Sequence, residues 1–242
     1  MDTASTARSR EAIVDDLIGT VIISCQAGPE SPLNEPRMLA ALAASAELGG
    51  ASGFRVDTPE NIRAVREVSA KPILGINKVY RDASDVFITP TLEDALAIVE
   101  AGADLVALDG TVRPRPGGET FADIVAALHA RGVPVMADIA TPEDAEAAAA
   151  AGADIVATTL AGYTAETEWL SKDEPAWELL AAIRHLPVPV FVEGRIWTRE
   201  HAVRAMDSGA ASVIIGSAVT VPQFITQRFV AALESRTAGL AR

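Results

Sequence analysis

The sequence repeats a phrase: Glu100-Ala-Gly-Ala-Asp-Leu-Val-Ala-Leu-Asp109 returns as Ala150-Ala-Gly-Ala-Asp-Ile-Val-Ala-Thr-Thr159. Each copy closes an alanine-rich helical run with glycine, then starts a short apolar strand that ends on a polar residue. The glycine falls just past the helix, where a left-handed backbone is cheap for glycine and costly for any residue with a Cβ. Looser copies span 48–55 and 208–216. A second phrase interleaves with the first. Lys71-Pro-Ile-Leu-Gly-Ile76, Val133-Pro-Val-Met-Ala-Asp138 and Val188-Pro-Val-Phe-Val-Glu193 set proline at the start of an apolar strand, where its missing N–H is tolerated. Helix starts carry their own mark: Thr58, Thr91, Thr141 and Thr198 each precede an acidic first turn, as N-cap threonines do. Together these marks place strands at 21–24, 52–56, 73–76, 105–109, 133–138, 155–158, 188–193 and 212–215. Val86-Phe-Ile88 is at most a short extra strand in the loop after the third. Near-continuous apolar strands alternating with helices predict a parallel sheet covered by helices, and eight of them in 242 residues predict closure into a single (β/α)8 barrel. No shift in composition marks a boundary, so 1–242 reads as one domain with a short helix ahead of the first strand.

Composition narrows the partners. Lys and Arg number 20 against 33 Asp and Glu, a formal net charge of -13, which repels nucleic-acid backbones and anionic lipid surfaces. Nucleic acid and membrane are therefore not expected partners. The apolar runs are too short to span a bilayer, and residues 1–17 lack the apolar core of a secretory signal. A lone cysteine, Cys25, forms no internal disulfide, which favours a reducing compartment and predicts a cytoplasmic protein.

Barrels of this kind build their sites at the C-terminal ends of the strands. Here the strands run into Ser24, Cys25 and Gln26; Arg55 and Asp57; Asn77 and Lys78; Asp109, Thr111 and Arg113; Asp138; Thr158 and Thr159; Glu193, Gly194 and Arg195; and Gly216 with Ser217. Lys78 stands out, because an ammonium at the end of a buried strand needs a carboxylate nearby, such as Glu193 or Asp138. Desolvation lowers its pKa and suits it to proton transfer or, by the same means, to Schiff-base chemistry. Both readings stay open on the residues alone. Gly194 and the Gly216-Ser217 pair suit a phosphate site, which barrels often place in their last two loops. Cys25 reads as a buried small hydrophobe, since no histidine lies at a strand end to activate it. Asp109, Asp138 and Glu193 match no metal-ligand motif, so no metal is expected.

The strings at the strand ends are specific in combination. Ile-Ile-Ser-Cys-Gln at 22–26, Gly-Ile-Asn-Lys at 75–78, Ala-Leu-Asp-Gly-Thr-Val-Arg-Pro-Arg-Pro at 107–116, Ala-Asp-Ile-Ala-Thr-Pro-Glu-Asp at 137–144, Thr-Thr-Leu-Ala-Gly-Tyr-Thr at 158–164 and Val-Glu-Gly-Arg-Ile at 192–196 resemble bacterial N-acetylmannosamine-6-phosphate 2-epimerases. The resemblance runs from about 17 to 229. It implies a barrel isomerase, free of cofactor and metal, that interconverts N-acetylmannosamine 6-phosphate and N-acetylglucosamine 6-phosphate by moving the proton at C2. It also implies that Lys78 transfers this proton with Glu193 as its partner, that Gln26, Arg55 and Asp138 hold the sugar, and that the protein is a homodimer; Arg195, at the end of the same strand as Glu193, is a further substrate-binding candidate. The apolar segment 222–233 offers a face for a second copy. One position departs from the family pattern. After the eighth strand the family carries Gly-(Ser or Gly)-Ala-(Ile or Val)-Thr-Arg, whose arginine binds the phosphate; here the string is Gly216-Ser-Ala-Val-Thr-Val221. Two rivals follow: the same chemistry on an unphosphorylated or different amino sugar, and a Schiff-base aldolase or lyase using Lys78.

Overall fold

The computed structural model describes residues 8–82 and 84–240. Strands β1 Val21–Cys25, β2 Gly53–Asp57, β3 Ile73–Ile76, β4 Leu105–Asp109, β5 Val135–Asp138, β6 Ile155–Ala157, β7 Val190–Glu193 and β8 Ser212–Ile215 pair in parallel and in chain order, β8 closing on β1. Helices α2 Pro36–Leu48, α3 Pro59–Val68, α4 Leu92–Glu100, α5 Phe121–His129, α6 Pro142–Ala150, α7 Trp177–Ile183 and α8 Arg199–Asp207 connect them. The short α1 Arg10–Asp15 precedes β1; α9 Ser217–Thr220 and α10 Pro222–Leu240 follow β8. This is the expected (β/α)8 barrel. Among the described residues no helix is long and apolar enough to cross a membrane.

The repeated phrase has a physical reading. Gly50, Gly102, Gly152 and Gly209 take φ of 98°, 108°, 96° and 101°, so each helix ends on a left-handed glycine. The aspartates that follow have a task the sequence did not reveal. Asp104 accepts the Ile73 N–H at 2.8 Å and Asp154 accepts the Val135 N–H at 2.8 Å, each serving the first residue of the strand before it. Arg66 neutralises Asp104, while Arg10 and His129 meet Asp154. β5 and β7 start two residues later than expected, because Pro134 and Pro189 lie just outside the strands. Each proline still gives its carbonyl to the neighbouring strand, to Val106 N and Val156 N at 3.1 Å, which needs no N–H in return.

Thr91, Thr141 and Thr198 cap their helices as expected, accepting from the Asp94, Asp144 and His201 N–H groups. Thr58 does not. Its φ of 73° and ψ of 146° leave its side chain without a capping bond. The backbone is bent there because the Thr58 N–H still bonds Ile76 O at 3.0 Å, carrying the β2–β3 ladder past the strand, while the Asp57 carboxylate turns to accept the Lys78 N–H at 2.9 Å. Val86-Phe-Ile88 is not a ninth barrel strand. It folds back on Asn77–Val79 through Val79 N to Phe87 O and Thr89 N to Asn77 O, with Tyr80 stacked on Phe87.

Strand alternation divides the core. Ile22, Leu74, Leu105, Met136, Ile155, Phe191 and Ile214 fill the barrel, closed at the base by Ile13, Val14 and Leu17. Their neighbours Phe54, Val106 and Val192 point out beneath the helices. Apolar side chains fill the interior up to Phe191, and charged residues begin one inward position higher.

Candidate active site

The two-residue period that turns Phe191 and Met136 inward also turns Glu193 and Asp138 inward at the mouth, and Arg55 beside them. Arg55 is 1% exposed and Asp138 0%. They form a two-pronged pair, Nη2 to Oδ2 at 2.6 Å and Nη1 to Oδ1 at 3.0 Å. Nη1 also reaches Glu193 Oε2 at 3.2 Å. Thr159 joins the carboxyls: its hydroxyl is 2.6 Å from Asp138 Oδ1 and 3.0 Å from Glu193 Oε2. A hydroxyl has one proton to donate, and the shorter contact takes it. Donation to Glu193 instead favours that carboxylate. Burial pushes the Glu193 carboxyl up to about 7, with the Asp138 charge acting the same way against the pull of Arg55.

Lys78 approaches from β3. Its Nζ donates to Gln26 Oε1 at 2.5 Å, and the Gln26 amide donates on to Ser24 Oγ at 2.7 Å. The nearest carboxylate is Asp57, at 3.9 Å, and not Glu193 or Asp138 as the sequence led us to expect. Asp57 occupies that place because it also accepts the Lys78 backbone N–H, whereas Glu193 and Asp138 are turned to Arg55. Burial lowers the Lys78 pKa below the ordinary lysine value, with Arg55 acting the same way and Asp57 opposing. Burial likewise raises Asp57.

A cavity of about 810 Å³ opens above these groups. Gln26, Arg55, Lys78, Glu193, Gly194, Arg195, Gly216 and Ser217 all line it, so eight of the nine residues singled out in the sequence meet in one place. Asp138 is the exception. It lies sealed beneath Arg55 and Thr159 and does not line the cavity, because the guanidinium bonds both its oxygens. The end of β4 also stays out, because Arg113 and Thr111 close on Asp109 at 2.7 and 2.6 Å. Cys25 is buried and faces the helices, with its thiol pushed up to about 12 by burial, as suits a packing residue. Val221 lines the cavity with an apolar side chain. Tyr80, Tyr163, Lys172, Trp197 and Arg228 line it as well and were not anticipated. Tyr163 lay within a quoted string, but Lys172, Trp197 and Arg228 come from loops and α10, where sequence position gives no hint of direction.

A barrel that gathers a lysine and a carboxyl of shifted ionisation at its strand ends belongs, by build, to the class of acid–base enzymes. Residues 39–235 match the family model described as "Putative N-acetylmannosamine-6-phosphate epimerase". A protein of Synechococcus elongatus named "Putative N-acetylmannosamine-6-phosphate 2-epimerase" is 48% identical over 224 residues, covering 91% of this chain and 96% of that protein. An Enterobacter protein of the same name is 40% identical over 230 residues, 94% of this chain and 98% of its own. Among solved structures, the N-acetylmannosamine-6-phosphate 2-epimerase of Clostridium perfringens superposes with a TM-score of 0.90 at 37% identity, over 95% of this chain and all of that one. The chain belongs to the N-acetylmannosamine-6-phosphate epimerase family.

Proposed function

We propose that this protein interconverts N-acetylmannosamine 6-phosphate and N-acetylglucosamine 6-phosphate by proton transfer at C2, with Lys78 and Glu193 as the acid–base pair. One observation carries the reading: Lys78 follows β3 and Glu193 ends β7, opposite strands of an eight-stranded barrel, and both line the same cavity. A carbon held between them presents one face to each. The C2 proton is acidic in the open-chain sugar because it lies alpha to the C1 carbonyl. Neutral Lys78 takes it, leaving an enolate beside the new ammonium; the protonated Glu193 delivers its proton to the other face. The reverse reaction uses the complementary state, ammonium and carboxylate, which holds the same number of protons. Gln26 orients the amine through its carbonyl, and Arg55 leaves its Nε without a partner, a donor for the sugar. Asp138 acts from below, fixing Arg55. Gly194, Arg195, Gly216 and Ser217 receive the phosphate end.

The test is incubation with N-acetylmannosamine 6-phosphate in deuterated water. Deuterium at C2 together with N-acetylglucosamine 6-phosphate is the expected result; neither product nor exchange would remove the proposal. The same reading makes the protein a cytoplasmic homodimer. Phe229 and Val230 are 71% and 48% exposed on α10, apolar surface suited to a second copy. Light scattering on the purified protein reads its mass directly, and a monomer at micromolar concentration would refute the dimer.

A further inference from the structure

We infer that Lys172 and Arg195 together form the anion subsite of this cavity, Lys172 supplying the positive charge that Val221 does not. The inference rests on the sugar-phosphate reading above and names the residue that reading lacks. Five cationic side chains line the cavity: Arg55, Lys78, Lys172, Arg195 and Arg228. Three are answered by carboxylates, Arg55 by Asp138 and Glu193, Lys78 by Asp57 and Arg228 by Asp173 at 3.1 Å. Among the described residues Lys172 and Arg195 form no ion pair. Arg195 is 8% exposed, yet its Nε and Nη1 have no hydrogen-bond partner among those residues. A largely buried guanidinium with two donor nitrogens unanswered by the protein is costly until an acceptor arrives.

Lys172 converges on this group. Gly162 shows how closely: a Cβ there would collide with Arg195 Nη1 and come within 3.5 Å of Lys172 Nζ. Both cations also share one ring, Lys172 Nζ at 5.4 Å and Arg195 Cζ at 5.7 Å from the centre of Tyr163. The ammonium gives one proton to Gly162 O at 2.5 Å and keeps two. The next residue, Asp173, pairs with Arg228, whose guanidinium lies 4.4 Å from the centre of Trp197, so exposed contacts link the segment carrying Lys172 to α10 and the loop after β7. Two like charges side by side repel, and a ligand with two negative charges and several acceptor oxygens relieves both that repulsion and the unanswered donors. A phosphate monoester is such a ligand. In place of an arginine after β8, this chain brings a lysine from the loop after β6.

Lys172 is exposed at the rim, so Lys172→Met is expected to leave the fold intact. Steady-state kinetics with N-acetylmannosamine 6-phosphate, inhibition by inorganic phosphate and thermal protection by inorganic phosphate are measured on the wild type, Lys172→Met and Lys172→Arg. In Lys172→Met, KM and the phosphate inhibition constant should each rise about 10- to 100-fold, the loss of one charge-assisted contact, with kcat within about twofold. Lys172→Arg should recover most of the loss. Turnover of the phosphorylated sugar with KM and phosphate inhibition unchanged in Lys172→Met overturns the subsite and leaves the epimerase reading standing. Phosphate protection that depends on Lys172 in a protein that turns over no sugar phosphate keeps the subsite and removes the reaction. Absence of phosphate protection and inhibition in the wild type overturns the subsite outright.

Discussion

Replacing Asp138 by asparagine should move the pH dependence of the reaction without touching the cavity wall. The Asp138 and Glu193 oxygens flank the Thr159 hydroxyl at 2.6 and 3.0 Å. The two carboxyls are thus roughly 5 Å apart, and at an effective dielectric of about 20 two unit charges at that distance repel by about 3 kcal/mol, or about 2 pKa units. Asparagine keeps the shape and removes the repulsion, and Arg55, no longer shared, binds Glu193 more strongly. Both changes favour the Glu193 carboxylate. The working pair carries one proton between Lys78 and Glu193, so kcat/KM falls when acid adds a second proton, on a limb near the Glu193 value of about 7. In Asp138→Asn that limb should shift down by about 1 to 2 units after solvent screening is allowed for. The assay is a pH profile of C2 deuterium exchange, read for the position of the acid limb and not for its height. A limb that stays in place, or moves up, would refute the electrostatic account of Glu193.

Glu193→Gln tests the same carboxyl through stability. Its pKa is raised from 4.5 to about 7 in the folded state, so its contribution to stability is fully present below 4.5 and is lost as pH rises through 7. The glutamine variant should therefore gain about 2 to 3 kcal/mol on the wild type between about pH 4 and pH 8 in denaturant melts, and a gap that does not widen with pH contradicts this. Lys78→Met should abolish deuterium exchange while melting normally, and borohydride should trap no sugar on the wild type; an adduct at Lys78 would replace proton transfer with Schiff-base chemistry. Gly152→Ala forces a Cβ into a backbone with φ of 96° and should cost about 1 to 2 kcal/mol in the same melts. An unchanged midpoint would mean that the repeated glycine does not mark the helix stop.

The barrel was legible because its signals are local. Each strand is covered on both faces and reads as a short apolar run, and each helix end carries its own glycine or threonine. Where the sequence misled, distant parts of the chain decide the outcome. Thr58-Pro-Glu and Thr141-Pro-Glu look alike, yet only Thr141 caps, because at Thr58 the ladder to β3 and the Asp57–Lys78 bond hold the backbone elsewhere. The repeated aspartates at 104 and 154 look like loop residues; their partners, Ile73 N and Val135 N, lie 31 and 19 residues back and meet them through strand pairing. The site followed the same rule. Alternation along each strand put Arg55, Lys78 and Glu193 at the mouth, but which carboxylate answers which cation is a matter of barrel geometry. Arg55 and Asp138 are 83 residues apart in sequence, and no spacing announces that they take each other.

That pairing also bears on how a protein of net charge -13 would receive the phosphorylated sugar proposed above. Overall charge acts weakly beyond about 8 Å at physiological ionic strength, so what a phosphate meets at the mouth depends on the cations left unpaired there. Arg55, the most buried of them, is neutralised by Asp138 and Glu193 and contributes little net field. Lys78 is tempered by Asp57, which suits a group that must give up and take a proton. Only where no carboxylate answers, at Arg195 and Lys172, does the cavity present net positive charge, and both stand against Tyr163. The acidic residues of the mouth would thus direct an anion by elimination: they offset Arg55 and Lys78 and leave Lys172 and Arg195 unpaired. Valine at 221 fits this division, since a third unpaired cation in the same cavity would add repulsion without a carboxylate to relieve it.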